Sequence, residues 1–282
     1  MSAIAANRTA IVTGASRGLG ALVAAALARR GVAVALLARD REHLERVAAR
    51  IRTTGGRAEP LPVDLSDWNA ATRAAEAALA RFGHIDALFN VAGAKLEGPA
   101  EQATYDDAVT ALAVNYLAPL ALCRAVIPAM RRQGGGLIVN VSSVLGLRAT
   151  PDRGLYSASK AALNALTDAL RVELAASGIH VTLVCPGRLT AAGERGSWLA
   201  MSEQDAAERI ARCMDRPRRR LTLTLAGRAL DALNRLSPNF VDALLGRIRR
   251  RRAARDVCHA DESHARRRAA DLAPVAAPGE RA

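Results

Sequence analysis

Between Thr9 and Val184 the chain alternates short apolar runs with longer, alanine-rich segments of helical period, and this alternation restricts its possible folds more than any other feature. Strands are predicted at Thr9–Thr13, Val32–Leu37, Ala58–Val63, Ala87–Asn90, Leu137–Val141 and Val181–Val184. Helices are predicted over Leu19–Arg30, Arg41–Ile51, Trp68–Phe82, Asp106–Arg131 and Ser157–Ala176, with Gly31, Gly83 and Gly178 where helices should stop. Strand–helix alternation of this regularity means βαβ units, right-handed crossovers and a parallel sheet covered on both faces. The fold class is therefore α/β, a doubly wound parallel sheet.

After Pro186-Gly187 the pattern loosens. Arg188 to Ala200 reads as a loop, Ser202 with Asp205 three places on reads as a helix start running to about Met214, and Leu221–Leu225 reads as a last strand. Residues 226–260 form a helical extension in this reading, and the polar, Ala/Pro-rich stretch 261–282 a disordered tail. Of the 282 residues half are hydrophobic and 24% charged, enough to bury a sizeable core.

The formal charge is +13, and residues 201–282 carry over half of it, with 18 basic against 11 acidic residues. Phe240, Val241, Leu244, Leu245 and Ile248 recur at helical spacing, with Ser237-Pro238 before them as N-cap and N1 and Arg247, Arg249, Arg250, Arg251 and Arg252 around their end. Two readings stand: a helix packed on the domain with a solvated basic end, or a basic amphipathic helix making a peripheral membrane contact. Aromatic residues are only 3%, which argues against a nucleic-acid partner that needs stacking platforms. Cys123, Cys185, Cys213 and Cys258 lie far apart with no Cys-x-x-Cys pair, so neither a metal site nor a disulfide scaffold is expected, and a reducing, cytoplasmic compartment is. Met1 to Arg8 has no apolar region of a targeting segment, and no apolar stretch reaches 18 residues, so no transmembrane helix is expected.

The first strand runs into Thr13-Gly14-Ala15-Ser16-Arg17-Gly18-Leu19-Gly20, which opens a helix. Glycines there allow a tight turn and close approach of the backbone to a pyrophosphate, and the helix N-terminus offers free N–H groups. With the spacing Thr-Gly-x-x-x-Gly-x-Gly the chain resembles the short-chain dehydrogenase/reductase family over about residues 8–225. The resemblance implies a Rossmann-type catalytic domain over 1–225 that binds a nicotinamide dinucleotide at Gly14, Ser16, Arg17, Gly18, Leu19 and Gly20. It further implies an adenine contact at Asp64, a cofactor-side Asn90 (in Asn-Val-Ala-Gly, where Val91 replaces the family's second Asn), and a nicotinamide-facing Pro186-Gly187 turn. The family's Thr five residues after that Pro is Ala191 here, with Thr190 one place earlier.

An acid at the end of the second strand would hold both ribose hydroxyls of NAD, but by the resemblance the deciding position is Ala38, which cannot do this. Arg39 follows and Arg17 lies in the glycine turn, and two guanidiniums suit a 2′-phosphate, so the expected cofactor is NADP(H). Asp40 is the competing feature, able to bind the ribose if the strand end is shifted by two residues.

Tyr156 and Lys160 stand four apart at the start of the helix after the fifth strand, which puts them on one helix face. An adjacent ammonium is expected to lower the phenol toward working pH, so that Tyr156 can exchange a proton with a substrate oxygen. Lys160 is one of only two lysines, with Lys95, against 38 arginines. Ser143 lies 13 positions before Tyr156, the family's spacing for its catalytic serine, and Asn115 matches the family residue that holds a proton-relay water. The resemblance thus implies Asn115, Ser143, Tyr156 and Lys160 as catalytic residues, with no metal. It also implies a homodimer or homotetramer formed partly through the helices that carry Asn115 and Tyr156. The activity implied is hydride transfer between nicotinamide and a carbonyl or secondary alcohol. Trp198, Leu199 and Met201, in a segment expected to lid the substrate, point to a hydrophobic, lipid- or steroid-like molecule. A non-catalytic NADP-binding scaffold or membrane-surface protein is the alternative.

Overall fold

The computed structural model describes residues 8–190 and 199–250. These fall into two compact units that divide after Leu233.

The larger unit is built on a seven-stranded, wholly parallel sheet in the order β3-β2-β1-β4-β5-β6-β9. Its strands are β1 (Thr9–Thr13), β2 (Ala33–Ala38), β3 (Ala58–Pro62), β4 (Ala87–Asn90), β5 (Gly136–Val141), β6 (Ile179–Cys185) and β9 (Arg220–Thr222). Alternate residues serve opposite faces. Ala10 and Val12 of β1 pack with α1 (Gly18–Ala28), α2 (Arg41–Thr53) and α7 (Glu203–Ala211), around the fully buried Phe89. Ile11 between them faces α3 (Trp68–Phe82), α5 (Ala118–Arg132) and the end of α6 (Gly154–Glu173). The continuous apolar strands exist because both faces are dry, which is what a parallel sheet requires. Strand order reverses between β1 and β4, and there the chain ends of two neighbouring strands part and leave a crevice.

Helix starts follow local chemistry. Asp40 caps α2 by accepting from His43 N at 3.0 Å, and Asp67 caps α3 through Asn69 N and Ala70 N. Thr104 and Asp107 form a reciprocal capping box at α4 (Tyr105–Leu112), and Ser202 caps α7 by accepting from Asp205 N, as the sequence implied. α7 lies on α1 through the small residues Ala206, Ala207 and Ala211. Arg29 and Arg30 reach Glu208 at 2.6 and 3.0 Å, and Arg8 reaches Asp215 at 2.8 Å, along the same seam.

Three expectations need correction. The single helix predicted over Asp106–Arg131 is α4, then a π-helical turn Ala113–Leu117, then α5. Apolar periodicity does not register one extra residue in a turn. This stretch, Tyr105–Arg132, is long and apolar enough to cross a membrane by length and composition, and half of its most apolar window is buried. The last strand ends at Thr222 rather than Leu225, because the Thr224 hydroxyl accepts from Gly227 N at 3.2 Å and starts α8 (Leu225–Leu236). The expected loop at 188–200 begins and ends in a short parallel pair, β7 (Leu189–Thr190) with β8 (Met201–Ser202). Ala191 and Trp198 lie outside the described residues.

The smaller unit contains a helix over 238–250, here α9, preceded by Ser237, whose carbonyl accepts from Val241 N at 3.3 Å. Its start is where Ser237-Pro238 placed it. Arg251, Arg252 and the stretch 261–282, with Cys258 before it, lie outside the described residues.

Candidate active site

A cleft of about 750 Å³ opens along the carboxyl ends of β1, β2, β4, β5 and β6. Its first wall is the glycine turn. Gly14 has φ +67°, and a Cβ there would lie 2.9 Å from Ala92 Cα. A Cβ on Gly20 would lie 2.2 Å from the Gly14 carbonyl oxygen, so only glycine allows the turn to fold back on α1. Arg17 stands at the N-cap of α1 in extended conformation and makes no side-chain cap, and no acid lies in the first turn. The amino end of α1 therefore keeps its N–H groups for an anion, the fit a dinucleotide pyrophosphate needs. Ser16, Gly18 and Leu19 line the same wall.

At the end of β2, Ala38, Arg39 and Asp40 border the cleft. Arg17 and Arg39 are exposed, and among the described residues neither has a carboxylate within ion-pair distance. Asp40 is spoken for by its own helix: Oδ1 takes the His43 amide and Oδ2 meets His43 Nδ1 at 2.6 Å. Those bonds, led by the His43 backbone N–H, hold its carboxyl below the usual range. Asp64 also borders the cleft, with Oδ1 accepting from Ser66 N at 2.9 Å and Ser66 Oγ at 2.8 Å. The Ser66 bonds lower its pKa, and the Arg39 charge adds to them.

The loop after β4 is the floor. The Thr13 hydroxyl accepts from Val91 N at 2.9 Å and Ala92 N at 3.0 Å, tying the ends of β1 and β4 together. Asn115, fully buried in the π-helical turn, holds the next residues: its Oδ1 accepts from Ala94 N and its Nδ2 donates to the Ala94 carbonyl, both at 2.9 Å. The same Nδ2 donates to Ser159 Oγ at 2.9 Å, and Ser159 donates to the Tyr156 carbonyl at 2.8 Å. Both amide hydrogens of Asn115 are thus engaged with protein, and its side chain acts on the loop and on α6.

Tyr156 and Lys160 come from the first turns of α6, and Ser143 from the end of β5. All three line the cleft, as do Pro186 and Gly187. The Ser143 side chain is hydrogen-bonded to the Tyr156 phenol, and its Oγ also accepts from Leu145 N at 3.1 Å. Val144 N donates to the Pro186 carbonyl at 2.9 Å, joining the ends of β5 and β6 beneath the phenol. Ser142, next to Ser143, donates to the Lys160 carbonyl at 3.2 Å and is structural.

The electrostatics differ from the expectation that Lys160 would lower the phenol. Burial pushes the Tyr156 phenol above its usual value, against the opposing pull of the Ser143 bond and of Arg153. The Lys160 ammonium is buried, lies 6.0 Å from the centre of the Tyr156 ring, and donates to the Val141 carbonyl at 3.0 Å. Loss of water brings its own pKa down to about 8. Helix periodicity predicted the pairing of the two residues but not the dryness of their surroundings.

Asn90 also departs from its expected place. It is buried and turned into the sheet, where Nδ2 donates to Asn140 Oδ1 at 2.8 Å, and Asn140 Nδ2 donates to Thr167 Oγ1 at 2.9 Å. It supports the strand end from which Val91 to Lys95 enter the cleft and is not among the lining residues. Thr190 is likewise buried outside the lining, in the β7–β8 pair. Sequence reasoning missed Thr13, Asn140, Ser159 and Thr167 as supports. Polar residues inside apolar strands or helices were the available signal.

The profile of the short chain dehydrogenase family matches residues 8–198, over half of the chain, and the chain belongs to that family. Among curated proteins it is 34% identical to the ketoacyl reductase HetN of Nostoc over 187 residues, 66% of this chain and 65% of that protein. It is also 34% identical to a fatty acyl-CoA reductase of Mycobacterium tuberculosis, over 258 residues covering 84% and 83% of the two chains. Among solved structures, a metagenomic short-chain oxidoreductase in complex with NADP matches with a TM-score of 0.71 and 35% identity, covering 78% of this chain and 97% of that one.

The buried ammonium makes a testable contribution to stability. Because the folded pKa of Lys160 lies below the 10.5 of a free lysine, the unfolded chain binds more protons between about pH 8 and 10.5, and stability gains with pH across that window. Relative to Lys160→Met, the ligand-free protein should gain about 2 kcal/mol between pH 7.5 and 9.5, read from urea unfolding of both proteins at the two pH values. A pH-independent difference would show that the ammonium is not desolvated.

Proposed function

We propose that this protein is an NADP(H)-dependent oxidoreductase that reduces a carbonyl group to a secondary alcohol, or runs the reverse reaction. The observation that carries the reading is the convergence of Ser143, Tyr156 and Lys160 on the cleft that begins at the glycine turn. Bound NADPH supplies a hydride to the carbonyl carbon. The Tyr156 hydroxyl gives its proton to the carbonyl oxygen as the C–H bond forms, and the phenolate then regains a proton from solvent. Burial raises the pKa of the phenol and opposes that donation, and the Lys160 cation 6.0 Å from the ring offsets the cost of the phenolate. Ser143 orients the oxygen, Lys160 stabilises the phenolate formed and holds the nicotinamide ribose, and Asn115 positions the loop beneath them. Replacing Tyr156 with Phe should lower kcat at least about a thousandfold while leaving NADPH binding, read by fluorescence titration, within about threefold. Full activity in that variant would remove the redox reading and favour a non-catalytic scaffold.

For the cofactor, the unpaired guanidiniums of Arg17 and Arg39 and the absence of an acid at Ala38 support recognition of a 2′-phosphate. Asp40, committed to its helix, supports the same choice. The ratio of kcat/KM for NADPH over NADH should be well above one and fall by about a hundredfold in Arg17→Ala/Arg39→Ala. A native preference for NADH would overturn the assignment.

A hydrophobic substrate is supported by Val114 and Leu189 in the lining of the cleft, and by the fatty acyl-CoA reductase among the relatives. Turnover should rise along a series of ketones of increasing apolar size, followed by NADPH absorbance. A preference for small keto acids would refute it. Half-exposed Val109, Leu112 and Leu117 beside the π-helical turn, with Val172 on α6, support a homodimer or homotetramer through these helices. Three buried free cysteines, Cys123, Cys185 and Cys213, are consistent with a reducing, cytoplasmic location.

A further inference from the structure

We infer that the carboxy-terminal unit is a docking surface for an anionic lipid bilayer. The inference is independent of the redox reading and rests on the described residues from Asn234 to Arg250. Leu236, Phe240, Leu244 and Ile248 recur every four residues across the Ser237-Pro238 start of α9, and they are 84%, 54%, 40% and 40% exposed. Each step of four along an α-helix rotates by about 40°, so Phe240, Leu244 and Ile248 make a narrow ridge about 80° wide. Buried Val241 continues the apolar arc on one side of that ridge. On the other side the same projection places Arg247 about 20° and Arg250 about 80° beyond Phe240. Both arginines are exposed. The one acid of α9, Asp242, projects to the opposite side.

An apolar ridge edged by guanidiniums fits an anionic bilayer better than nucleic acid or a second copy of the chain. Nucleic acid would use the arginines and leave Phe240, Leu244 and Ile248 in water. A second copy of the chain would cover the ridge but bring like charges together. An anionic bilayer takes both: the ridge enters the boundary between headgroups and acyl chains, and the arginines extend their stems along it to reach lipid phosphates. The formal charge of +13 draws the whole chain to such a surface.

The test is flotation of the full-length protein at physiological salt with vesicles of phosphatidylcholine alone, or with about one third phosphatidylglycerol. Binding should be at least roughly tenfold stronger to the anionic vesicles. Phe240→Ser/Leu244→Ser/Ile248→Ser, which leaves the charge unchanged, should weaken it by roughly tenfold or more. Arg247→Gln/Arg250→Gln should weaken it by about fivefold per arginine. Thermal melting of each variant separates loss of the surface from loss of the fold, and if the apolar triple melts early the arginine pair carries the test. Absence of flotation, equal flotation with both vesicle types, or native-like flotation of a folded apolar triple would overturn the proposal. So would a vesicle-independent dimer that the triple dissolves, or duplex DNA binding without flotation.

Discussion

The side chain of Asn115 joins three pieces of the cleft wall around Tyr156 and Lys160. It binds both the N–H and the carbonyl of Ala94 in the loop after β4, and it reaches Ser159 on α6 from its own place in the π-helical turn. Loop, helix and turn are distant in sequence, so nothing local fixes their spacing. A buried amide with both hydrogens satisfied supplies that constraint, because leaving such a group unpaired costs about 1–3 kcal/mol. A Cβ on Gly93, one residue before the clamped Ala94, would lie 3.2 Å from Asn115 Oδ1 and 3.4 Å from Lys160 Nζ, so the loop also sits against Lys160.

Burial sets the chemistry of the two principal side chains in opposite directions. It holds the Tyr156 proton on and loosens the Lys160 proton. In the proposed reaction the phenol would give up its proton in dry surroundings, and the phenolate would then meet a nearby cation that water screens little. Before that moment the ammonium is held by the Val141 carbonyl. The chain uses arginine at every other basic position but Lys95, and a guanidinium is bulkier than the compact ammonium buried here.

The arginines divide by location. Those on the α1–α7 seam are paired with Glu208 and Asp215 and hold the helix after the 191–198 segment against the sheet layer. Those in the cleft, Arg17 and Arg39, are left facing solvent at the amino end of α1 and the end of β2. One composition bias thus serves two purposes, and only the partners distinguish them.

The sequence by itself determined the βαβ order, the strand positions from β1 to β6, the helix caps at Ser202 and Ser237, and the glycine turn, because each depends on local periodicity or on a short pattern around a single turn. It also gave the pairing of Tyr156 with Lys160, which is a property of one helix. Only the tertiary structure decided that Asn90 turns into the sheet toward Asn140, that Asp40 is consumed by capping α2, and that the helix through Asn115 carries a π-helical turn. It alone decided the direction in which Tyr156 shifts, since a pKa depends on how much water the surrounding elements exclude, and no pattern within α6 reveals that exclusion.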